Sequence, residues 1–352
     1  MKHIIGGNPQ TPHPLVQSVT VDENGAGQRL DNFLMRHLKG VPKTHVYRII
    51  RSGEVRVNKG RASADTRLNA GDVLRLPPVR VSERAAEKAQ AMAQQVASHA
   101  PARDFTVLFE DDSFLAINKP AGVAVHGGSG VSFGVIEQLR MARPQAKFLE
   151  LVHRLDRETS GILLVAKKRS ALKNLQDQFR ERETGKTYLA LALGQWPANK
   201  KVLDKPLHKY LLPDGERRVK VVSKDDPDGM PSLTLVKVRA AGGVVPPAVQ
   251  HLSSAQQGFS LLEVTIKTGR THQIRVHLAS EGMPIVGDDK YGDFECNKAL
   301  ARASGVLSLK RMFLHAWRLQ CCHPATGERL ELKAELPGEL AQFLAQVLPQ
   351  AA

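Results

Sequence analysis

Apolar residues along this chain recur three and four positions apart in some stretches and every second position in others, which divides it into helices and strands. From residue 28, "QRLDNFLMRHLKGVPKTHVYRIIRSG" places Leu30, Phe33, Leu34 and Leu38 at helical spacing. After the break at Gly40 and Pro42, Val46, Ile49 and Ile50 do the same. Two short helices are predicted, then strands at "EVRVN" and "DVLRLP" with turn residues between them. Upstream, residues 1–27 are rich in Gly, Pro, Asn, Thr and Ser and predict a flexible leader with a short extended piece near "LVQSVTVDE". Downstream, residues 83–103 are Ala-rich and polar with scattered apolar positions, the composition of a helical or flexible linker.

A second unit starts near residue 104. Its predicted order is a strand pair ("FTVLFEDD", "FLAINKP"), a Gly-rich loop ("AGVAVHGGSG") and a helix ("FGVIEQLRMA"). The run "LVHRLDRETSGILLVAKK" then ends in a core strand, and a helix over 169–182 puts Leu172, Leu175 and Phe179 on one face. "KTYLALALG" alternates as a strand does, "SLTLVKVRA" and "FSLLEVTIKTG" predict two more, and "GRTHQIRVHLASEG" predicts a helix with Thr271 as N-cap and Gly282 as its stop. Between those last two strands, residues 240–258 bring Gly, Pro, Ser and Gln together, as a surface hairpin loop or partly disordered insertion would. Helices and strands recur without strict alternation, so the class is α+β with a mainly antiparallel sheet. The domains are expected at 28–82 and 104–348, and a length of 352 residues suits two domains.

Charge narrows the class of partner. Lys and Arg number 50 against 35 Asp and Glu, a net +15 that favours a polyanion. Residues 29–80 alone hold 12 basic and 4 acidic side chains, so +8 of that excess is concentrated in the first unit. Arg36, Lys43, Arg48 and Arg51 lie off its apolar stripe and are the phosphate-facing candidates. No window of 18 uncharged apolar residues suggests a membrane span, and "MKHIIGGNPQ" lacks the core of a signal peptide, so a cytoplasmic location is expected. Three cysteines without CxxC spacing give neither a disulfide framework nor a zinc site. Nothing in the pattern demands a second copy, and a monomer is expected.

The chemistry concentrates around one acid. Asp156 stands between Arg154 and Arg157 at the mouth of the apolar run 162–166. A partly desolvated carboxylate needs a cationic partner, and Arg275 in "GRTHQIRVHL" is the best placed. Such an acid could serve as nucleophile or general base without a metal. Tyr188, one of four tyrosines, sits beside Ala190 and Ala192, where its ring could present a flat face to a base or simply fill the core. His153, His272 and His277 show no metal-ligand pattern, and His153 reads better as a hydrogen-bonding brace for the loop. "NKPAGVAVHGGSG" is Gly-dense yet lacks both phosphate-loop signatures, so no nucleotide cofactor is expected.

Taken together, "HRLDRETSG", "INKPAGVAVHGG", "KTYLALALG", "TGRTHQIRVHLA" and "FLHAWRLQCCHPATGE" resemble, in order, the motif blocks of the RluA class of pseudouridine synthases. The first unit resembles an S4 RNA-binding domain. The resemblance covers roughly residues 20–342. It implies the pseudouridine synthase catalytic fold and cofactor-free isomerisation of uridine in RNA, with large-subunit (23S) ribosomal RNA as partner. It also implies Asp156 as catalytic carboxylate, Tyr188 against the uracil, and Arg275 holding Asp156 ionised, with Arg270 as the alternative. Arg154, His153, Thr159 and Leu314 would contact or wall the extruded nucleotide. Two other classes compete. An RNA-binding assembly factor would leave the isolated acid unexplained, and a glycosidase would need a second facing carboxylate, which none of the motifs supplies.

Overall fold

The computed structural model describes residues 16–22, 25–38, 41–79, 105–127, 133–252 and 258–351. The chain divides into two compact units at residue 100. The linker expected at 83–103 and residues 1–15 of the expected leader lie outside the described residues.

In the N-terminal unit, strand β1 (Gln17–Thr20) precedes helices α1 (Leu30–His37) and α2 (Lys43–Arg51), followed by strands β2 (Arg56–Val57), β3 (Gly60–Arg61) and β4 (Val73–Leu76). They form a four-stranded sheet in the order β1-β4-β2-β3. β1 lies within the segment 1–27 and pairs antiparallel with β4, so the unit starts upstream of residue 28. The stripes expected for the helices meet in one core, in which Leu30, Leu34, Val46 and Ile49 pack with Leu68, Leu74 and Leu76. Asn58 and Lys59, both at positive φ, join β2 to β3, the backbone of a tight primed hairpin turn. "EVRVN" is therefore a strand of only two residues. Asp31, buried in the first turn of α1, accepts hydrogen bonds from Arg29 (2.8 Å) and Tyr47 (3.2 Å). The Arg29 guanidinium holds its carboxyl below the usual range, although burial opposes this.

The C-terminal unit is built on strands β5 (Val107–Glu110), β6 (Phe114–Lys119), β7 (Glu150–Leu151), β8 (Ser160–Ala166), β9 (Gly185–Leu193), β10 (Val202–Asp204), β11 (Leu207–Leu211), β12 (Arg217–Val221), β13 (Leu233–Gly242), β14 (Phe259–Ile266), β15 (Leu314–Cys322) and β16 (Arg329–Lys333). Its helices are α3 (Val135–Ala142), α4 (Arg169–Glu181), α5 (Gln273–Ala279), α6 (Phe294–Arg302) and α7 (Gly338–Val347). Ten strands make one sheet whose main path runs β10-β13-β14-β9-β15-β8-β6-β5. Of its pairings only β8 with β15 is parallel, so the class is α+β with a mainly antiparallel sheet. β11 and β12 form a separate hairpin.

The strands on either side of β15, β9 and β8, are buried on two faces, and their sequences show it. On β9, Ala190 and Ala192 pack with Ile274 and Leu278 of α5, while Leu191 and Leu193 pack with Phe343 and Leu344 of α7. On β8, Leu163 and Val165 meet α3, whereas Ile162 and Leu164 meet Leu172 and Leu175 of α4. A strand with two covered faces reads as a continuous apolar run. Gly161 has φ +112°, and a Cβ there would lie 2.3 Å from the carbonyl oxygen of Ala316. Only glycine lets β8 and β15 approach so closely.

One expectation is refined and one differs. Residues 240–258 connect β13 to β14 as a hairpin, and part of the stretch is packed. β13 continues to Gly242, Val249 is fully buried against the α7 core, and the amide of Val244 donates to Val347 (2.8 Å). Val245, Val249 and Leu252 are apolar anchors within an otherwise polar stretch, while residues 253–257 lie outside the described residues. Thr271 is not the N-cap of α5. The helix starts at Gln273 after His272, and Gln273 Oε1 accepts from the Arg270 amide (3.1 Å) and the Thr268 hydroxyl (2.7 Å). The first residue of the helix thus ties it to the preceding turn, and no side chain caps its first amides.

Candidate active site

The loop 152–159 joins β7 to β8 and carries Asp156 to the wall of a cavity of about 370 Å³. Strong backbone ties hold the loop. The Thr159 amide donates to the Asp156 carbonyl (3.2 Å), and the Gly122 amide donates to the Arg157 carbonyl (2.9 Å). From behind, Lys119 at the end of β6 donates through Nζ to the carbonyls of Pro120 (2.8 Å), Val123 (2.9 Å) and Arg157 (3.0 Å). Three acceptors match the three donors of an ammonium. Lys119 is fully buried, and that burial pushes its pKa down to about 7.

Arg275 comes from the first turns of α5 and is almost wholly buried. Its Nη1 lies 3.5 Å from Asp156 Oδ2. Its shorter bonds go elsewhere. Nε and Nη2 clamp both oxygens of Asp288 at 2.7 and 2.6 Å, and Nη2 also reaches Asp289 at 3.0 Å. Burial alone would lower the guanidinium's pKa, but the hydrogen bonds and charge of Asp288, with Asp156 and Asp289 adding, raise it instead. Burial would likewise raise Asp288, and Arg275 holds it below the carboxylate range. The outcome is a cation fixed in charge and direction with one arm left for Asp156.

Tyr188 enters from β9, and burial, with the charge of Asp156 adding, pushes its phenol well above the ordinary value. It is a neutral, flat wall. Leu314, at the start of β15 and buried, forms part of the apolar side. Arg154, exposed, Arg270, whose Nε donates to Pro231 O (3.2 Å), and buried Thr159 complete the lining among the residues picked out in the sequence. His153 lines it too, but its Nε2 accepts from the Leu164 amide (3.1 Å) and its ring stacks on Phe179. Burial lowers its pKa to about 3, so it is a neutral brace for the loop. Asp156 and the seven residues singled out around it therefore line one cavity.

The sequence did not point to Lys119, Asp288, His272 or Tyr291 in this role. His272 Nε2 stands 4.0 Å from Asp156 Oδ2, and its Nδ1 is 2.8 Å from the Tyr291 hydroxyl. Arg36, Lys43, Arg48 and Arg51 belong to the other unit. All four are exposed; Arg48 lies near His45 (3.2 Å) and Arg51 donates to Tyr47 O (3.3 Å).

One carboxylate, one fixed cation and a neutral aromatic wall around an open cavity are equipped for covalent or acid–base chemistry. Residues 113–280 match the RNA pseudouridylate synthase family, and residues 28–74 match the S4 domain. Ribosomal large subunit pseudouridine synthase C of Salmonella typhimurium is 49% identical over 342 residues, 97% of this chain and 99% of that protein. The chain belongs to the RNA pseudouridylate synthase family. The protein of the same description from Yersinia pestis is 49% identical over 335 residues, covering 95% of this chain and 97% of its own. Among solved structures, Human RNA Pseudouridylate Synthase Domain Containing 4 overlays 72% of this chain and 97% of its own with a TM-score of 0.55 at 26% identity. As a pseudouridylate synthase, this chain is an enzyme that acts on RNA, with an S4 domain at its N-terminal side. Among the described residues, no helix is long and apolar enough to cross a membrane.

Proposed function

We propose that this synthase isomerises uridine to pseudouridine in large-subunit ribosomal RNA in the cytoplasm, with Asp156 as its catalytic carboxylate. The observation that carries this reading is the meeting of Asp156, Tyr188, Arg275 and Leu314 around one cavity, in a chain that matches the large-subunit synthases C over nearly its whole length. The reaction breaks the bond from N1 to C1′, turns the uracil in place and joins C5 to C1′. It needs no redox partner and no group donor, so one acid at the ribose suffices, either by attack on the sugar or by drawing a proton from it.

In this reading Arg275 holds Asp156 ionised, Tyr188 lies flat against the uracil, and Leu314 closes the apolar wall. Arg154 and Arg270 meet the sugar–phosphate backbone at the rim, and Thr159 and His153 keep the loop in shape. Extruding the base from the RNA costs a few kcal/mol. Phosphate contacts offset that, including those of Arg36, Lys43, Arg48 and Arg51 on the S4 domain, so affinity falls as salt rises.

The test is a pseudouridine map by carbodiimide treatment and primer extension on ribosomal RNA from a strain lacking the gene, complemented with wild type or Asp156→Asn. Large-subunit uridines lose modification in the deletion strain, and only wild type restores them. Full modification with Asp156→Asn overturns the catalytic role, and an unchanged large-subunit pattern in the deletion strain moves the substrate to another RNA.

A further inference from the structure

His272 occupies the left-handed region, with φ 54° and ψ 21°, at the start of α5. A side chain with a Cβ avoids this region unless its surroundings impose it, and such residues cluster at functional sites. No side-chain cap of the helix depends on it. The unusual backbone instead sets the imidazole on the cavity wall, with Nε2 4.0 Å from Asp156 Oδ2.

The other ring nitrogen reveals which proton the imidazole carries. The Tyr291 hydroxyl lies 2.8 Å from His272 Nδ1, and its oxygen accepts the Val219 amide at 3.0 Å. Donation from that hydroxyl to Nδ1 gives its proton the one side-chain acceptor within reach among the described residues. In that arrangement His272 carries its hydrogen on Nε2, facing the cavity. Burial pushes Tyr291 up to about 12 and lowers His272, which keeps both groups neutral near pH 7.

The symmetry of the uracil ring gives this donor a use. Turning the ring by half a turn about the axis through N3 and C6 exchanges N1 with C5, and with them the carbonyls at C2 and C4. A donor beside the ring atom bonded to C1′ therefore meets O2 in uridine and O4 in pseudouridine from the same position. The proximity of His272 to Asp156, the acid at the ribose, puts Nε2–H on that side of the ring. We propose that His272 donates this hydrogen to the uracil carbonyl next to the glycosidic bond, O2 before the rotation and O4 after it, and so guides the ring between its two bonded states. The proposal rests on the family's reaction and on Asp156 being its acid.

Single-turnover conversion of a synthetic large-subunit RNA fragment, with uridine or 2-thiouridine at the target, tests this. Wild-type conversion of the unmodified fragment checks the reaction itself, and loss of that conversion in Asp156→Asn checks the acid. Sulfur is a poor acceptor, so 2-thiouridine slows the wild type by at least about tenfold, the effect of one hydrogen bond on a barrier. His272→Leu slows the unmodified fragment by a similar factor with RNA affinity unchanged, and the sulfur then adds less than about twofold. His272→Gln, equally strained in the left-handed region but carrying an N–H, recovers part of the rate. Equal slowing by sulfur in wild type and His272→Leu, or equal defects in the Leu and Gln variants, overturns the proposal.

Discussion

Asp288→Asn removes one charge beside the active site and keeps the side chain's shape. In the wild type Arg275 and Asp288 are buried to 3% and 1% side-chain exposure and joined by two bonds of 2.6 and 2.7 Å. Removing one member of a buried ion pair typically costs about 3–5 kcal/mol, because the other charge is left uncompensated. Asp289 at 3.0 Å and Asp156 at 3.5 Å still face the guanidinium, which places the expected loss near the lower end, about 3 kcal/mol. For a unit of this size that is a fall in Tm of about 6–12 °C. The pH dependence has a definite sign. Asp288 is held below its unfolded value of about 3.9, so its contribution is fully present above about pH 4 and fades as the pH drops through the lower folded value. The gap between wild type and variant therefore narrows in acid. The variant has a second effect. With Asp288 neutral, Arg275 turns toward Asp156, and a carboxylate now tightly paired reacts more slowly, by about tenfold for each 1.4 kcal/mol of added pairing. Differential scanning calorimetry between pH 3 and 8, with single-turnover conversion at neutral pH, measures both effects. A variant within about 1 °C of wild type at pH 7, turning over at the wild-type rate, would refute the view that Asp288 aims Arg275.

Lys119→Met leaves three buried carbonyls without their donor, at about 1 kcal/mol or more each, so a Tm lower by at least about 6 °C is expected in thermal denaturation. Gly161→Ala drives a Cβ against the Ala316 carbonyl at a positive φ; soluble yield collapses, whereas Gly122→Ala, with open space around it, loses far less. Because Tyr188 stays protonated, Tyr188→Phe slows conversion yet keeps the shape of the wild-type rate profile between pH 7 and 10; a limb that vanishes in the variant would mean the phenol ionises. Replacing Arg36, Lys43, Arg48 and Arg51 by Gln reduces the slope of log affinity against log salt by about 0.7–0.9 for each cation that touches a phosphate, as measured by filter binding.

What the sequence disclosed and what it withheld follow from how each residue is recognised. A continuous apolar run of strand length marks a strand covered on both faces, so β8 and β9 are legible in "GILLVA" and "YLALAL". Asp156 stands out because an acid between two arginines before an apolar run is an electrostatic oddity. Its cation was also found, because a partly desolvated carboxylate needs one. The same logic stops short of Asp288. Asp288 and Asp289 are neighbours of one residue type, yet their side-chain exposures are 1% and 63%. Periodicity offers no distinction between them where the chain follows neither a helix nor a strand. Lys119 is hidden for the opposite reason. A lysine closing a strand ordinarily lies in water, and only the bend of residues 120–123 and the return of the 152–159 loop bring three carbonyls to its ammonium.

The residues that were hidden share a position one layer behind those that were seen. Asp288 fixes Arg275, Tyr291 holds the ring of His272, and Lys119 fixes the backbone of the Asp156 loop. A reaction that turns a loose uracil in place gains little from strong contacts to one orientation, since these would hold the ring back from the other. It gains from rigid walls and from groups whose charge and proton do not change while the ring moves. An arginine clamped by two carboxylates and a histidine held by a phenol meet that need, and neither condition can be read from the residue itself. It lies in the partner that folding supplies, which is why Asp156 was legible and the groups that keep its surroundings constant were not.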